Sequence, residues 1–265
     1  MRKIAKELEV SEKSVRTIVK NKLGLRSYKI NRLHFLNDTM KQKRLIKARR
    51  MLRLTAGARL SKVFFTDEKI FTIEPTHNRQ NHRQLLKKVQ KKTAAAKIIG
   101  HSHFAASIMV WAGICATGAT PLVFIDRKVK INAAIYQQRV LCDVLRPWAT
   151  EHFGQDTFTL QQDWTPAHSA RSTIAICKDL FPGFWGKDVW LPNSPDLNPM
   201  DYSVWSILEE KFSGKRYATV DMLKTAPRRA WNEIPVDACA SIVGNFRLRL
   251  RKYIEAQSAN FEQLL

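Results

Sequence analysis

The sequence predicts a mixed α/β layered domain, a mixed sheet of five strands with flanking helices, preceded by a small basic helical segment. Three observations lead there. From about residue 63 onward, short apolar runs bounded by turn residues alternate with longer stretches of helical periodicity. Hydrophobic residues make up 45% of the 265, enough to build one large core. The formal net charge is +22, and residues 1–62 hold 19 Lys/Arg against 4 Asp/Glu, so +15 of it sits at the N-terminal end. Such asymmetry suggests a basic arm for a polyanion, nucleic acid first, joined to a more balanced body.

The expected organisation is three segments, 1–30, 31–62 and 63–265. In the first, Ile4, Ala5 and Leu8 recur at helical spacing. Ser11 is a good N-cap with Glu12 in the first turn of a second helix, whose Val15, Ile18 and Val19 are expected to face inward. Gly24 suits the stop. Two short helices across a tight turn make a helix-turn-helix. The outward side of the second helix then shows Lys13, Arg16, Thr17 and Lys20 to phosphates and base edges, although a pair of ordinary helices with solvated charges gives the same pattern. Residues 31–62 read as a basic linker containing a helix. Its Lys47, Arg49 and Arg50, among others, are candidates for tracking a phosphate backbone or for a nuclear import signal, which makes the nucleus the expected location, or else form a solvated face.

In residues 63–265, Val63–Phe65 reads as a strand ending at Asp67, with Ile70–Ile73 as its hairpin partner. Residues 76–103 are polar and basic and read as a loop region. Ser107–Cys115 is a strongly apolar strand, and Gly118 turns the chain into Leu122–Ile125. Ile131–Trp148 has helical periodicity, Thr157–Gln161 is a strand running into Asp163, and Ser169–Leu180 is a helix. Val189–Leu191 is a short strand, Tyr202–Phe212 a helix, and residues 220–257 two more helices around Trp231 and Phe246.

Some function classes recede. The N-terminus has no apolar segment like a signal peptide, and the longest apolar runs fall well short of the roughly 20 residues of a membrane span, so no membrane partner is expected. Cys115, Cys142, Cys177 and Cys239 do not fall at zinc-ligand spacing and read as free thiols of a reducing compartment.

Three acidic residues sit where structure alone explains a charge poorly. Asp67 follows an apolar strand in FFTDEKIF, Asp163 follows another in FTLQQDWTPAH, and Asp201 opens a helix in SPDLNPMDYSVW. Carboxylates from three elements can bracket a pair of hard divalent cations, which suit phosphodiester chemistry. Each Asp also has an ordinary reading as a turn or cap residue. Glu68 is sent to the opposite strand face by alternation. Asp196 fits a Ser-Pro-Asp turn. His168 could contact DNA or metal, or simply hold a loop. His101 and His103 lack acidic or cysteine companions, and Trp111, Trp205 and Trp231 read as core.

The blocks FFTDEKIF, QQDWTPAH and WLPNSPDLNPMDYSVW resemble the three acidic signature blocks of mariner-superfamily DNA transposases, with Asp67, Asp163 and Asp201 at the three carboxylate positions. Thirty-seven residues separate Asp163 from Asp201, and the all-Asp triad with that gap resembles a mariner-like branch. LVFIDRKVKINAAIY, Arg146-Pro147-Trp148, AWNEIP and RLRLRKYIEA extend the resemblance over nearly the whole chain.

The resemblance implies a ribonuclease-H-like catalytic domain over 63–265 and Mg²⁺ or Mn²⁺, as two ions, on the three Asp residues. It implies cutting of double-stranded DNA at terminal inverted repeats and joining of the freed 3′-hydroxyl to a TA target, by a homodimer. Residues 1–30 resemble the second half of the family's bipartite DNA-binding region, so its first helix-turn-helix is expected to be missing. Trp164-Thr165 stands where smaller residues are usual, and SANFE replaces a Gly-Gly-His-Phe-Glu ending. A catalytically silent DNA-binding remnant, or a host-recruited protein, is the alternative.

Overall fold

The computed structural model describes residues 2–25, 37–73, 106–126, 131–192, 194–212, 215, 217–258, 261–262 and 265. The expectations for 76–103, including His101 and His103, and for 31–36 therefore lie outside the described residues. Two compact units result, Met1–Asn37 and Asp38–Leu265.

The first unit holds α1 (Arg2–Glu7) and α2 (Glu12–Thr17), the latter continued by a π-helical turn, Ile18–Lys22. Ser11 caps α2 by accepting from Ser14 N–H at 3.0 Å. Val15 and Ala5 are buried, whereas Ile18 is 43% exposed and Val19 only partly covered, so the inward face is narrower than the periodicity suggests. Two helices this short bury one contact line rather than a full face.

The second unit opens on α3 (Asp38–Leu54). Leu45, Ala48 and Met51, three residues apart, form a buried stripe that packs on α10 (Val236–Glu255). By its contacts α3, which falls in the segment read as a linker, groups with the second unit, because an apolar stripe hides among its basic residues. Its C-terminal neighbour is a 3₁₀ segment, Gly57–Lys62.

The sheet has six strands rather than five: β1 (Val63–Thr72), β2 (Ser107–Cys115), β3 (Gly118–Ala119), β4 (Val123–Asp126), β5 (Thr159–Gln161) and β6 (Gly183–Trp185). The order is β3-β2-β1-β5-β6, with β4 also on β2. β1 pairs antiparallel with β2 from Phe65↔Ile114 to Thr72↔Ser107 and parallel with β5. Ile70–Phe71 therefore continues β1 instead of returning as a hairpin, since the partner is supplied from 35 or more residues downstream, beyond the reach of local pattern. The strand expected at Val189–Leu191 is a buried turn, and β6 takes the place beside β5. Gly183 permits that pairing, because a Cβ there would meet Phe158 O at 2.9 Å.

Alternation along β1 feeds two cores. Phe65 and Phe71 face a core built with α3, α8 (Trp205–Phe212), α9 (Val220–Asn232) and α10. Phe64 faces the other, with α4 (Ala133–Tyr136), the π-helical Gln137–Leu145, α5 (Arg146–Phe153) and α7 (Arg171–Leu180), α6 (Pro166–Ser169) lying between β5 and α7. Gly113 on β2 leaves room for Phe64, whose Cζ would lie 2.2 Å from an added Cβ. Among the described residues no helix is long and apolar enough to cross a membrane. The four cysteines are free.

Candidate metal centre

Asp67, Asp163 and Asp201 line one cavity of about 440 Å³. They come from three elements. Asp67 is the fifth residue of β1, mid-strand rather than at its end, and the odd-numbered register puts it on the Phe65 face. Asp163 follows β5 by two residues. Asp201 lies in the π-helical turn Met200–Val204 that leads into α8. Asn198, 4% exposed, joins these pieces: its Nδ2 donates to Thr66 O at 3.3 Å and its Oδ1 accepts from Met200 N–H at 3.2 Å. The start of the Asp201 helix is thereby fastened beside Asp67.

Asp67 and Asp201 are close enough to share a hydrogen bond. Burial, then Asp201, then Glu68 push the Asp67 carboxyl well above the usual carboxylate range, against the pull of a Trp205 Nε1–H donated to its Oδ2 at 2.7 Å. Burial also raises Asp201, although the Asp67 hydrogen bond and the Lys69 ammonium oppose it. Two crowded carboxyls of this kind titrate as a pair, and a divalent cation relieves their repulsion as a shared proton does. That crowding, with all-oxygen donors, fits Mg²⁺ or Mn²⁺.

Asp163 behaves differently. Its Oδ1 accepts from Thr165 N–H at 3.0 Å and lies 2.6 Å from His168 Nδ1, while His168 Nε2 lies 3.2 Å from Glu68 Oε1. Burial opposes ionisation of Asp163, yet the His168 hydrogen bond and charge hold its pKa below the ordinary value. Burial alone would neutralise His168, which is 4% exposed, but Glu68 first and then Asp163 lift it to about 9. His168 is thus a buried cation between two carboxylates, with Tyr136 against its ring at 4.2 Å. Glu68, Asp163 and His168 bring donor atoms within 4.8 Å of one another, so a cation bound among them would have to displace the His168 proton. With that proton in place, the cluster orients Asp163. Glu68 does lie on the opposite face of β1, as alternation requires, and from there it reaches the site through His168.

Several contributors were not legible as functional. Trp205 is fully buried, as core residues are, yet its indole N–H serves Asp67. The signal for Asn198 was its place three residues before Asp201, at helix-capping distance. The second helix of the first unit exposes Lys13, Arg16, Thr17 and Lys20, with Arg16 also paired to Glu12 at 2.6 Å. In α3, Arg49 and Arg50 are exposed, whereas Lys47 is partly covered and donates to the carbonyls of Lys187 and Trp190. A larger cleft, about 600 Å³ along α9, has Glu233 paired with Lys211 and Arg229 and gathers no carboxylate cluster.

The fold and the carboxylate pocket define a ribonuclease-H-like α/β domain that follows a small helical unit. No family model and no curated protein sequence matches the chain. Solved structures of the Mos1 mariner transposase do share its fold. The Mos1 paired end complex with Mn aligns at 20% identity and a TM-score of 0.80, over 98% of this chain and 75% of that one. The Mos1 strand transfer complex aligns at 19% and 0.78, over 97% and 73%. The Mos1 catalytic domain aligns at 17% and 0.67, over 88% of this chain and all of that one. At these identities the likeness is one of fold.

Proposed function

We propose that the chain is a mariner-type DNA transposase. It cuts double-stranded DNA at terminal inverted repeats and joins the freed 3′-hydroxyl to a TA target, acting as a homodimer in the nucleus. The observation that carries this reading is the convergence of Asp67, Asp163 and Asp201 on one pocket of a ribonuclease-H-like sheet. The Mos1 neighbours, which include transposon-end complexes and forms with Mn, support it.

The three Asp residues would hold Mg²⁺ or Mn²⁺, as two ions. Divalent cations there supply polarisation of the attacking hydroxyl and of the scissile phosphate. The protein's own work is positioning. Asp67 and Asp201 offer crowded carboxylates that are relieved by positive charge. His168, with Glu68 behind it, keeps Asp163 ionised and oriented. Trp205 fixes one oxygen of Asp67, which narrows the directions left to the other. Lys13, Arg16, Thr17 and Lys20 meet the duplex, and Arg49 and Arg50 add exposed positive charge.

The test is Mn²⁺-dependent nicking of supercoiled plasmid by the purified chain, beside Asp163→Ala and a chelator control. Nicking that disappears in both controls, with Asp163→Ala still binding DNA within a few-fold of the parent, is the expected result. A folded protein that binds DNA and never nicks favours the silent DNA-binding remnant instead.

A further inference from the structure

Arg44, Lys47 and Arg50 follow one another along one side of α3 at three-residue spacing. All three send their cations to the same short turn. Arg44 Nη1 donates to Pro192 O at 2.7 Å, Lys47 Nζ to Lys187 O at 2.5 Å and Trp190 O at 3.1 Å, and Arg50 Nη1 lies 3.7 Å from Asp188 Oδ2. The turn they grip runs directly into the pocket wall, since Trp190, Leu191 and Pro192 line the cavity.

Lys47 does one thing more. Its Nζ lies 4.3 Å from the centroid of the Trp164 ring, within cation–π range. Trp164 immediately follows Asp163 and lines the same cavity. One ammonium therefore touches two of the chain segments that wall the carboxylate pocket, the one that carries Asp163 and the one that enters at Trp190. Burial lowers its pKa from the ordinary lysine value, as expected where protein partners replace water.

We propose that Lys47 is a positioning residue for the carboxylate pocket, pinning the Asp163–Trp164 segment to the 187–192 turn and so setting the geometry in which the carboxylates meet an ion. The inference rests on the metal-binding reading of that pocket. It replaces the role in phosphate tracking that the basic composition of α3 suggests for this residue.

Lys47→Met keeps the aliphatic stem and removes the donor, and Lys47→Arg restores a cation able to reach two carbonyls. Three properties of the full chain decide the matter: Mn²⁺ affinity by titration calorimetry with Asp163→Ala as the blank, the salt dependence of duplex DNA binding, and the rate of tryptic cutting after the exposed Lys187. Lys47→Met should bind Mn²⁺ about 10-fold more weakly, the low end of what removing a direct partner of a metal ligand costs, because Lys47 acts through Trp164, one residue from Asp163. Cutting after Lys187 should speed up, because the turn opens locally. Lys47→Arg should recover both, and the salt slope should not move in either variant.

A salt slope reduced by about one, with Mn²⁺ affinity and Lys187 cutting unchanged, would identify a phosphate contact and overturn the proposal. Equal losses in Lys47→Met and Lys47→Arg would also overturn it, since a restored cation and donor would then rescue nothing. If the parent protein binds no Mn²⁺ while Lys187 cutting follows the prediction, the metal reading fails and the pinning stands. If cutting is unchanged as well, both fail.

Discussion

Replacing His168 with Gln should flatten the alkaline side of the stability profile. In the folded protein the imidazolium is held near a pKa of about 9, against an ordinary 6.5, by Glu68 and Asp163 acting against burial. The folded state therefore binds this proton more tightly than the unfolded chain does. Its contribution is fully present below about pH 6.5 and is lost as pH rises through about 9. The shift corresponds to about 3 kcal/mol at 1.36 kcal/mol per pKa unit. Solvent screening reduces this little, because His168 is 4% exposed. Urea unfolding of the parent and of His168→Gln, in chelator, at pH 6, 7.5 and 9.5 measures it. The difference between the two proteins, which removes the titration of lysines and thiols common to both, should shrink by up to about 3 kcal/mol between the extremes. A difference that stays constant with pH would show that His168 is not a cation in the fold, and the account of how Asp163 is kept ionised would fall with it.

Trp205→Phe removes the indole N–H from Asp67 Oδ2 while leaving an aromatic ring in the core, and calorimetry should show Mn²⁺ affinity reduced about 10–100-fold. Unchanged affinity would mean the bond orients nothing. Gly113→Ala drives a methyl into the buried Phe64 ring, and a loss of about 1–3 kcal/mol by thermal or urea unfolding is expected from overpacking. Stability equal to the parent would show that Phe64 can move aside. Duplex binding should weaken steeply with salt, and alanine at both Lys13 and Lys20 should reduce the slope of log affinity against log salt by about two. A slope indifferent to these lysines would place the phosphate contacts elsewhere.

The sequence makes the apolar strands, the amphipathic helices and the three Asp residues easy to find, since each is a local pattern. It hides what depends on a distant partner. β1 runs unbroken through Asp67-Glu68-Lys69 because β2 pairs with it across a long intervening stretch, and no window of ten residues contains that fact. The turn at 189–191 is apolar enough to imitate a strand, yet it fills a core pocket instead, while the less conspicuous Gly183–Trp185 supplies the parallel partner of β5. The basic run of α3 conceals three buried apolar residues, and its charge count says nothing about which cations end on backbone carbonyls. Trp205 reads as core, and His168 as a contact for DNA or metal or a residue holding a loop; only their hydrogen bonds in the fold tie them to Asp67 and Asp163.

The register of β1 has an evolutionary corollary. Asp67 and Glu68 are neighbours in sequence but address opposite layers, one toward Trp205 and the other toward His168. Deleting a single residue upstream in the strand would put Glu68 at the Asp67 position and Lys69 opposite the imidazole, and inserting one would put Thr66 among the carboxylates and Asp67 opposite the imidazole. In neither case could Asp67 or Glu68 reach its partner in the present geometry. Point substitutions can probe the two layers separately, but a change of length strikes both at once. This strand should therefore accept changes of side chain at its exposed end, Ile70 for one, far more readily than any change in its residue count.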